Sequence, residues 1–285
     1  MDFDRFIDQA WDDHATDAAG VADRLAADGP ALLHEDAQVA RLAALVHHVY
    51  GEHLARWEDG RVLLQRLASA SGSADSAAAL RRCDASLALS AGLADERAAL
   101  SASDAIRVGA MAAANLAEHD TPRARALFDE ALGAASALAD TDPAHRALAV
   151  SANNLACTLE EKSARSMAER ELMIRAAQAA RHHWALAGGW LETERAEYRL
   201  AMTWLQAGDP AQAMRHAQAC LQIVQQHEAP ALERFFAFEA MGLTAQAAGD
   251  AGQKADALAQ ARIAFDALDE ADRGWCRASL DKLAA

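Results

Sequence analysis

Along most of the chain, apolar side chains recur at intervals of three and four residues. Residues 197–221 read EYRLAMTWLQAGDPAQAMRHAQACL. Leu200, Ala201 and Trp204 share one helical face. After Gly208-Asp209-Pro210, the small residues Ala213, Ala217 and Cys220 share another. Positions three and four apart stack on one side of an α-helix, so the pattern predicts a helix, a tight turn and a second helix. Breakers divide the rest of the chain in the same way. They lie at Asp28-Gly29-Pro30, Ser69 to Ser76, Gly92, His119 to Pro122, Asp140 to Pro143, Gly188-Gly189 and Gly249 to Gly252. Several put Asp or Thr before a proline, the order of a helix N-cap followed by proline in the first turn. The segments between breakers run about 15–20 residues and number roughly fourteen. Short connections make consecutive helices antiparallel neighbours. The expected fold is therefore all-α, with no β-sheet.

The pattern also repeats. Val108, Met111, Ala112 and Asn115 precede ARALFDEAL, which carries Ala124, Phe128 and Ala131. Leu155, Ala156 and Leu159 precede Ala168 and Leu172, and Phe238, Met241, Gly242 and Ala245 precede Gly249 and Ala255. A first helix with large, small and aromatic slots, then a second with small residues at fixed places, resembles the tetratricopeptide repeat (TPR). The leading apolar slots Met111, Leu155, Leu200 and Met241 are 44, 45 and 41 residues apart, longer than the usual repeat of about 34. The Asn-Asn-Leu-Ala stretch at 153–156 is similar to one in the long repeats of kinesin light chain. The resemblance implies a right-handed α-solenoid of antiparallel helix pairs, a TPR-like superhelix. It divides the chain into N-terminal capping helices over 1–34, degenerate TPR-like pairs over 35–102, TPR-like repeats over 103–270 and a C-terminal capping helix over 271–285. Within the second of these, ARWEDGRVLLQRLA reads as a helix. Small residues at Ala201, Ala213 and Cys220 let backbones approach, while Leu200 and Trp204 fill the holes between them.

Composition narrows the function classes. Apolar residues make up 52% of the 285 residues but aromatics only 5%, which suits many slim helices packed closely. The formal net charge of -15 argues against nucleic acid and anionic membranes, both of which are bound through basic surfaces. No stretch reaches the roughly 18 apolar residues of a spanning helix, and the start MDFDRFIDQAWDDH lacks a basic or apolar leader. Cys83, Cys157, Cys220 and Cys276 lie far apart with no CxxC. They read as buried reduced thiols, which suits a cytoplasmic protein.

In the TPR architecture the first helix of each pair lines a concave groove, where binding occurs. In the Leu155 and Leu200 registers, Val150, Asn153, Asn154, Cys157, Glu160 and Glu161 face it from one repeat. Arg195, Tyr198, Arg199, Met202 and Gln206 face it from the next. Ile106, Gly109, Ala110 and Ala113, one repeat earlier, would form a smooth and roomy wall. TPR domains that clamp the carboxylate ends of chaperone tails place an asparagine before the leading apolar slot. Their next repeat supplies two basic residues one turn apart. Asn154, Arg195 and Arg199 match those places. Gly109 and Ala113 stand where the clamp has lysine and asparagine, so half of it is missing. Asparagine offers a donor and an acceptor to an extended backbone, and arginine takes a carboxylate bidentately. The candidate peptide-binding residues are Asn153, Asn154, Arg195, Tyr198 and Arg199. A second account gives the asparagines a packing role and neutralises the arginines with Glu192, Glu160 and Glu161 as ordinary ion pairs.

Other polar groupings read as structural. Asp12-Asp13-His14-Ala15-Thr16-Asp17 resembles the acidic magnesium motif of terpene synthases. Its spacing is one residue too long and no second motif follows, so it reads as a solvated helix end. His47, His48 and His53 lie near Glu52, but zinc sites need three or four convergent ligands, and no HExxH occurs. His182-His183-Trp184 closes a long helix, where histidines suit the helix dipole. No phosphate loop or GxSxG elbow is present. The expectation is no catalytic residue, no metal and no cofactor. The expected function is a non-enzymatic interaction scaffold whose groove binds an extended peptide or partner segment. The alternative is a ligand- or peptide-sensing regulator that changes superhelix curvature on binding. The expected partner is a protein or peptide with an acidic or carboxylate group; a homo-oligomer also stays open.

Overall fold

The computed structural model describes residues 2–285. Among them every element is helical and no strand occurs. The chain divides into two compact units, residues 1–144 and 145–285. The first contains α1 (Phe3–Asp13), α2 (Ala18–Ala27), α3 (Asp36–His47), α4 (Trp57–Leu67), α5 (Ala74–Ser90), α6 (Ala102–Leu116) and α7 (Thr121–Ala135). A single π-helical turn, His48–His53, follows α3 directly. At the boundary starts α8 (Pro143–Glu161). The second unit continues with α9 (Met167–Ala187), α10 (Trp190–Gln206), α11 (Pro210–Gln226), α12 (Ala231–Ala248), α13 (Ala251–Asp266) and α14 (Glu270–Ala284). The boundary falls inside the 103–270 stretch, after its first repeat.

Local chemistry sets where these helices begin. The first four N–H groups of a helix lack partners within it. Asp17, Ser73, Ser101, Asp120, Ser166, Asp209, Asp250 and Asp269 each accept a bond from the N–H three residues on. Proline follows in the first turn of α7 and α11, where its missing N–H costs nothing. Gly208 stops α10 at φ 75, a conformation that glycine alone adopts without strain. That turn lets the Asp209 N–H reach the Trp204 carbonyl at 3.0 Å. The break between α8 and α9 has neither glycine nor proline. Ser166 and Glu169 set it with a reciprocal capping box.

Neighbouring helices pack in both units. In the first, α4 lies on α5, α5 on α6 and α6 on α7. In the second, each helix from α9 to α13 lies on the next, α10 also touches α12, and α12 touches α14. Successive first helices thus stack on one another, as in an α-solenoid. The small slots sit at the contacts: Ala124, Ala131, Ala201, Ala213 and Cys220 are all buried. Phe6, Val21, Leu42, Val46 and Leu64 belong to the core of the first unit. Phe235, Phe265, Leu280 and Leu283 form part of the core of the second.

One expected surface is absent. Gly109 and Ala113 are buried rather than lining an open wall. A Cβ at Gly109 would lie 3.3 Å from Arg97 Nη1 and 3.5 Å from the Ala131 Cβ, so the protein itself fills that space. Among the described residues no helix is long and apolar enough to cross a membrane. Cys83, Cys220 and Cys276 are buried, Cys157 is half-buried, and all four are free thiols.

Candidate functional site

The second unit holds a cavity of about 610 Å³ whose walls come from four helices. α10 contributes Glu194, Arg195, Tyr198 and Arg199, and α12 contributes Leu232, Glu233 and Phe236. Asn153 from α8 and Trp275 from α14 complete it. The repeat explains this grouping. Asn153, Tyr198 and Glu239 hold the same slot in three successive first helices, 45 and 41 residues apart. Arg195 and Phe236 are likewise equivalent, as are Glu192 and Glu233, each pair 41 residues apart. Stacked helices bring equivalent slots side by side, so one sequence position recurs as neighbours around the cavity.

The floor is apolar and aromatic. Phe236 meets Tyr198 edge-on with centroids 5.5 Å apart and meets Trp275 at 5.1 Å. Trp275 is 66% exposed. The rim is charged, but its charges are paired. Arg199 Nη1 donates to Glu160 Oε2 at 2.6 Å, and Thr203 Oγ1 bonds the other oxygen of the same carboxylate. The Arg199 Nε is buried without a partner. Arg195 Nη2 donates to Glu233 Oε1 at 2.9 Å, with the arginine side chain 61% exposed and the glutamate 9%. The Tyr198 hydroxyl donates to Glu239 Oε2 at 2.9 Å, tying α10 to α12. Burial, with the Glu239 charge beside it, pushes the Tyr198 hydroxyl well above its ordinary range. Glu194 is buried and accepts from Cys220 Sγ at 2.9 Å. Burial pushes its carboxyl up to about 7.

Of the five candidate residues, the structure brings Asn153, Arg195, Tyr198 and Arg199 to this cavity. Asn154 is exposed and does not line it. Asn153 Nδ2 contacts Cys157 Sγ of its own helix at 3.7 Å. The arginines are not unsatisfied. Glu160 pairs with Arg199 as the packing account expects, whereas the partner of Arg195 is Glu233 rather than Glu192. Glu192 instead accepts from the Gly189 N–H at 2.8 Å, at the start of its own helix. Sequence reasoning missed Glu233, Phe236, Leu232 and Trp275. The signal for the first two was the repeat itself, since each occupies a slot already assigned one repeat earlier.

The histidines fall into two groups. His183 does not serve the end of α9 as a cation. It is buried with its Nδ1 3.0 Å from His145 Nδ1, and burial first, then His182 and His145, lowers its pKa to about 4. A neutral imidazole fits that place. In the first unit, His14 joins His48 and His53, with one ring nitrogen of each within 4.8 Å of the others. The sequence alone showed only two of these three together, because α1 and its end lie far from the π turn along the chain. Two acids near His14 have structural work: Asp13 pairs with Arg24 at 2.6 Å, and Asp17 caps α2.

In comparisons with protein-family models, curated proteins and solved structures, the chain matched none.

Proposed function

We propose that the chain is a non-enzymatic, TPR-like interaction protein whose second unit binds a short peptide segment in this cavity. The segment places an apolar or aromatic anchor against Leu232, Phe236 and Trp275 and a carboxylate on Arg195. The observation that carries this reading is Trp275, an exposed tryptophan beside a concave aromatic floor. Aromatic side chains left open at a concavity are characteristic of binding sites, and tryptophan and arginine dominate binding energies. Arg195 lies next to that floor, largely exposed and held through one nitrogen, so it retains donors for a second carboxylate. Arg199 and Tyr198 act differently. Their bonds to Glu160 and Glu239 hold α8, α10 and α12 in register and so shape the cavity.

The same site offers little to catalysis. The Cys220 thiol is pushed far up by burial and by Glu194 beside it, which disfavours the thiolate that nucleophilic chemistry needs. Four free thiols suit a reducing compartment such as the cytoplasm.

Selection from a displayed library of random peptides, using the full chain as bait, tests the proposal. Enriched peptides should share an apolar residue beside a carboxylate. Trp275→Ala should weaken their binding about tenfold or more, equivalent to about 1.4 kcal/mol, without lowering the melting temperature. Enrichment that survives both Trp275→Ala and Arg195→Ala undiminished would end this reading.

A further inference from the structure

We propose that His14, His48 and His53 bind one late first-row divalent metal ion, Zn²⁺ above all, through three imidazole nitrogens. The geometry comes from backbone features that bring distant residues together. His14 is the residue that ends α1, and His48 and His53 open and close the π turn. In an α-helix, residues five apart point in diverging directions. A π turn is wider and closes with bonds between residues five apart. Here the Leu54 N–H donates to the Val49 carbonyl at 3.1 Å. The wider turn brings His48 Nε2 to 3.0 Å from His53 Nε2. Such turns are rare and concentrate at functional sites. This one contains Gly51, where a Cβ would lie 2.5 Å from Asn115 Oδ1.

The distances suit an ion. Zinc–nitrogen bonds of about 2.0–2.1 Å in tetrahedral geometry set ligand nitrogens roughly 3.3 Å apart. The His48–His53 contact is already near that value, and the three ring nitrogens lie within 4.8 Å of one another. Binding has only to draw in nitrogens that already lie no more than 4.8 Å apart.

The outer contacts are those that metal-binding histidines carry. His48 Nδ1 lies 3.2 Å from Glu52 Oε2, and His14 Nδ1 donates to the Trp11 carbonyl. A proton held on Nδ1 by such a partner leaves the Nε2 lone pair for a metal. Both histidines therefore present Nε2, and Trp11 packs against both rings. His47 takes no part, since its Nε2 is engaged by Ser86 Oγ at 3.0 Å inside the core. Three imidazoles with a fourth position open to water match the ligand number of accessible zinc sites. Nitrogen ligands favour zinc, nickel and copper over magnesium and calcium.

Titration calorimetry of the untagged, chelator-treated full chain with zinc chloride tests the site. The expected result is one ion per chain. His53→Ala, a change at an exposed position, should weaken binding at least a hundredfold with the circular dichroism spectrum unchanged. Glu52→Gln, which touches no ion directly, should weaken it by about 10- to 100-fold. Zinc binding that is equally tight in His53→Ala, or stoichiometric binding that persists when all three histidines are alanine, would overturn the proposal. So would a parent chain that binds no tighter than that triple variant.

Discussion

Glu194 has a thiol, Cys220, as its bonding partner and is 1% exposed. Its carboxyl is pushed by burial from an ordinary 4.5 up to about 7. Between those values the folded chain keeps a proton that the unfolded chain has released. The folded state is then favoured by acid, and this residue's contribution to stability falls as pH rises from 4.5 through 7. Glu194→Gln removes the titration. The variant should match the parent near pH 4.5 and exceed it above pH 7 by on the order of 1–3 kcal/mol. Melting curves at several pH values check this, and parallel curves would refute it. The two arginines also separate at this scale. Both partner glutamates are 9% exposed, so the difference lies in the cations: Arg195 is 61% exposed against 27% for Arg199, and Arg195→Ala, which removes the solvent-facing one, should cost at most about 1 kcal/mol. Arg199→Ala removes the more buried cation, which shares Glu160 with Thr203 between α8 and α10, and should cost about 3 kcal/mol in a denaturant titration. Equal losses from the two would contradict the roles assigned here. The sequence showed both arginines as a one-turn pair but could not distinguish their surroundings, because Glu160 and Glu233 reach them from other helices.

At the scale of elements, the small slots were legible because the physics that writes them is local and repeated. Ala124, Ala131 and Ala213 recur where two helices touch, and all three are buried. Leucine at any of them must push helices apart, at a cost of about 1–3 kcal/mol. A variant of this set that melts with the parent would show that its slot is not a contact. Helix starts were legible wherever Asp or Ser stood before a run, as at Asp120 and Asp209. The π turn was not. No pattern of apolar positions marks it, and within it Gly51 packs so closely on its neighbours that a Cβ there would lie 2.5 Å from Asn115 Oδ1. Gly51→Ala is therefore expected to destabilise the first unit by about 1–3 kcal/mol, the usual scale of overpacking, measured by chemical denaturation. An unaffected midpoint would mean that the turn can move aside. The end of α8 escaped notice for another reason. Its stop signal lies in the Ser166–Glu169 capping box of the next helix, not in a breaker.

At the scale of the whole molecule, the fold class was plain from helical periodicity and regular breakers. The site was half legible. Repeat register placed Asn153, Arg195, Tyr198 and Arg199 together, whereas Trp275 came from a helix outside the repeats. The net charge of -15 adds a kinetic consequence. Long-range repulsion opposes the approach of an acidic peptide, and salt screens it over about 8–10 Å. Association of a carboxylate-bearing peptide should therefore speed up as ionic strength rises, in contrast to the usual steering of opposite charges. A stopped-flow rate that falls with salt would contradict this. On the proposed reading, Arg195 receives a ligand carboxylate beside the Phe236–Trp275 floor. A double-mutant cycle tests it most directly, using calorimetric affinities of a selected peptide and its carboxylate-to-amide analogue for the parent and Arg195→Ala. The expected coupling energy is at least about 1 kcal/mol, each change mattering only while the other group is present. Additive losses, with no coupling between Arg195 and the carboxylate, would contradict it.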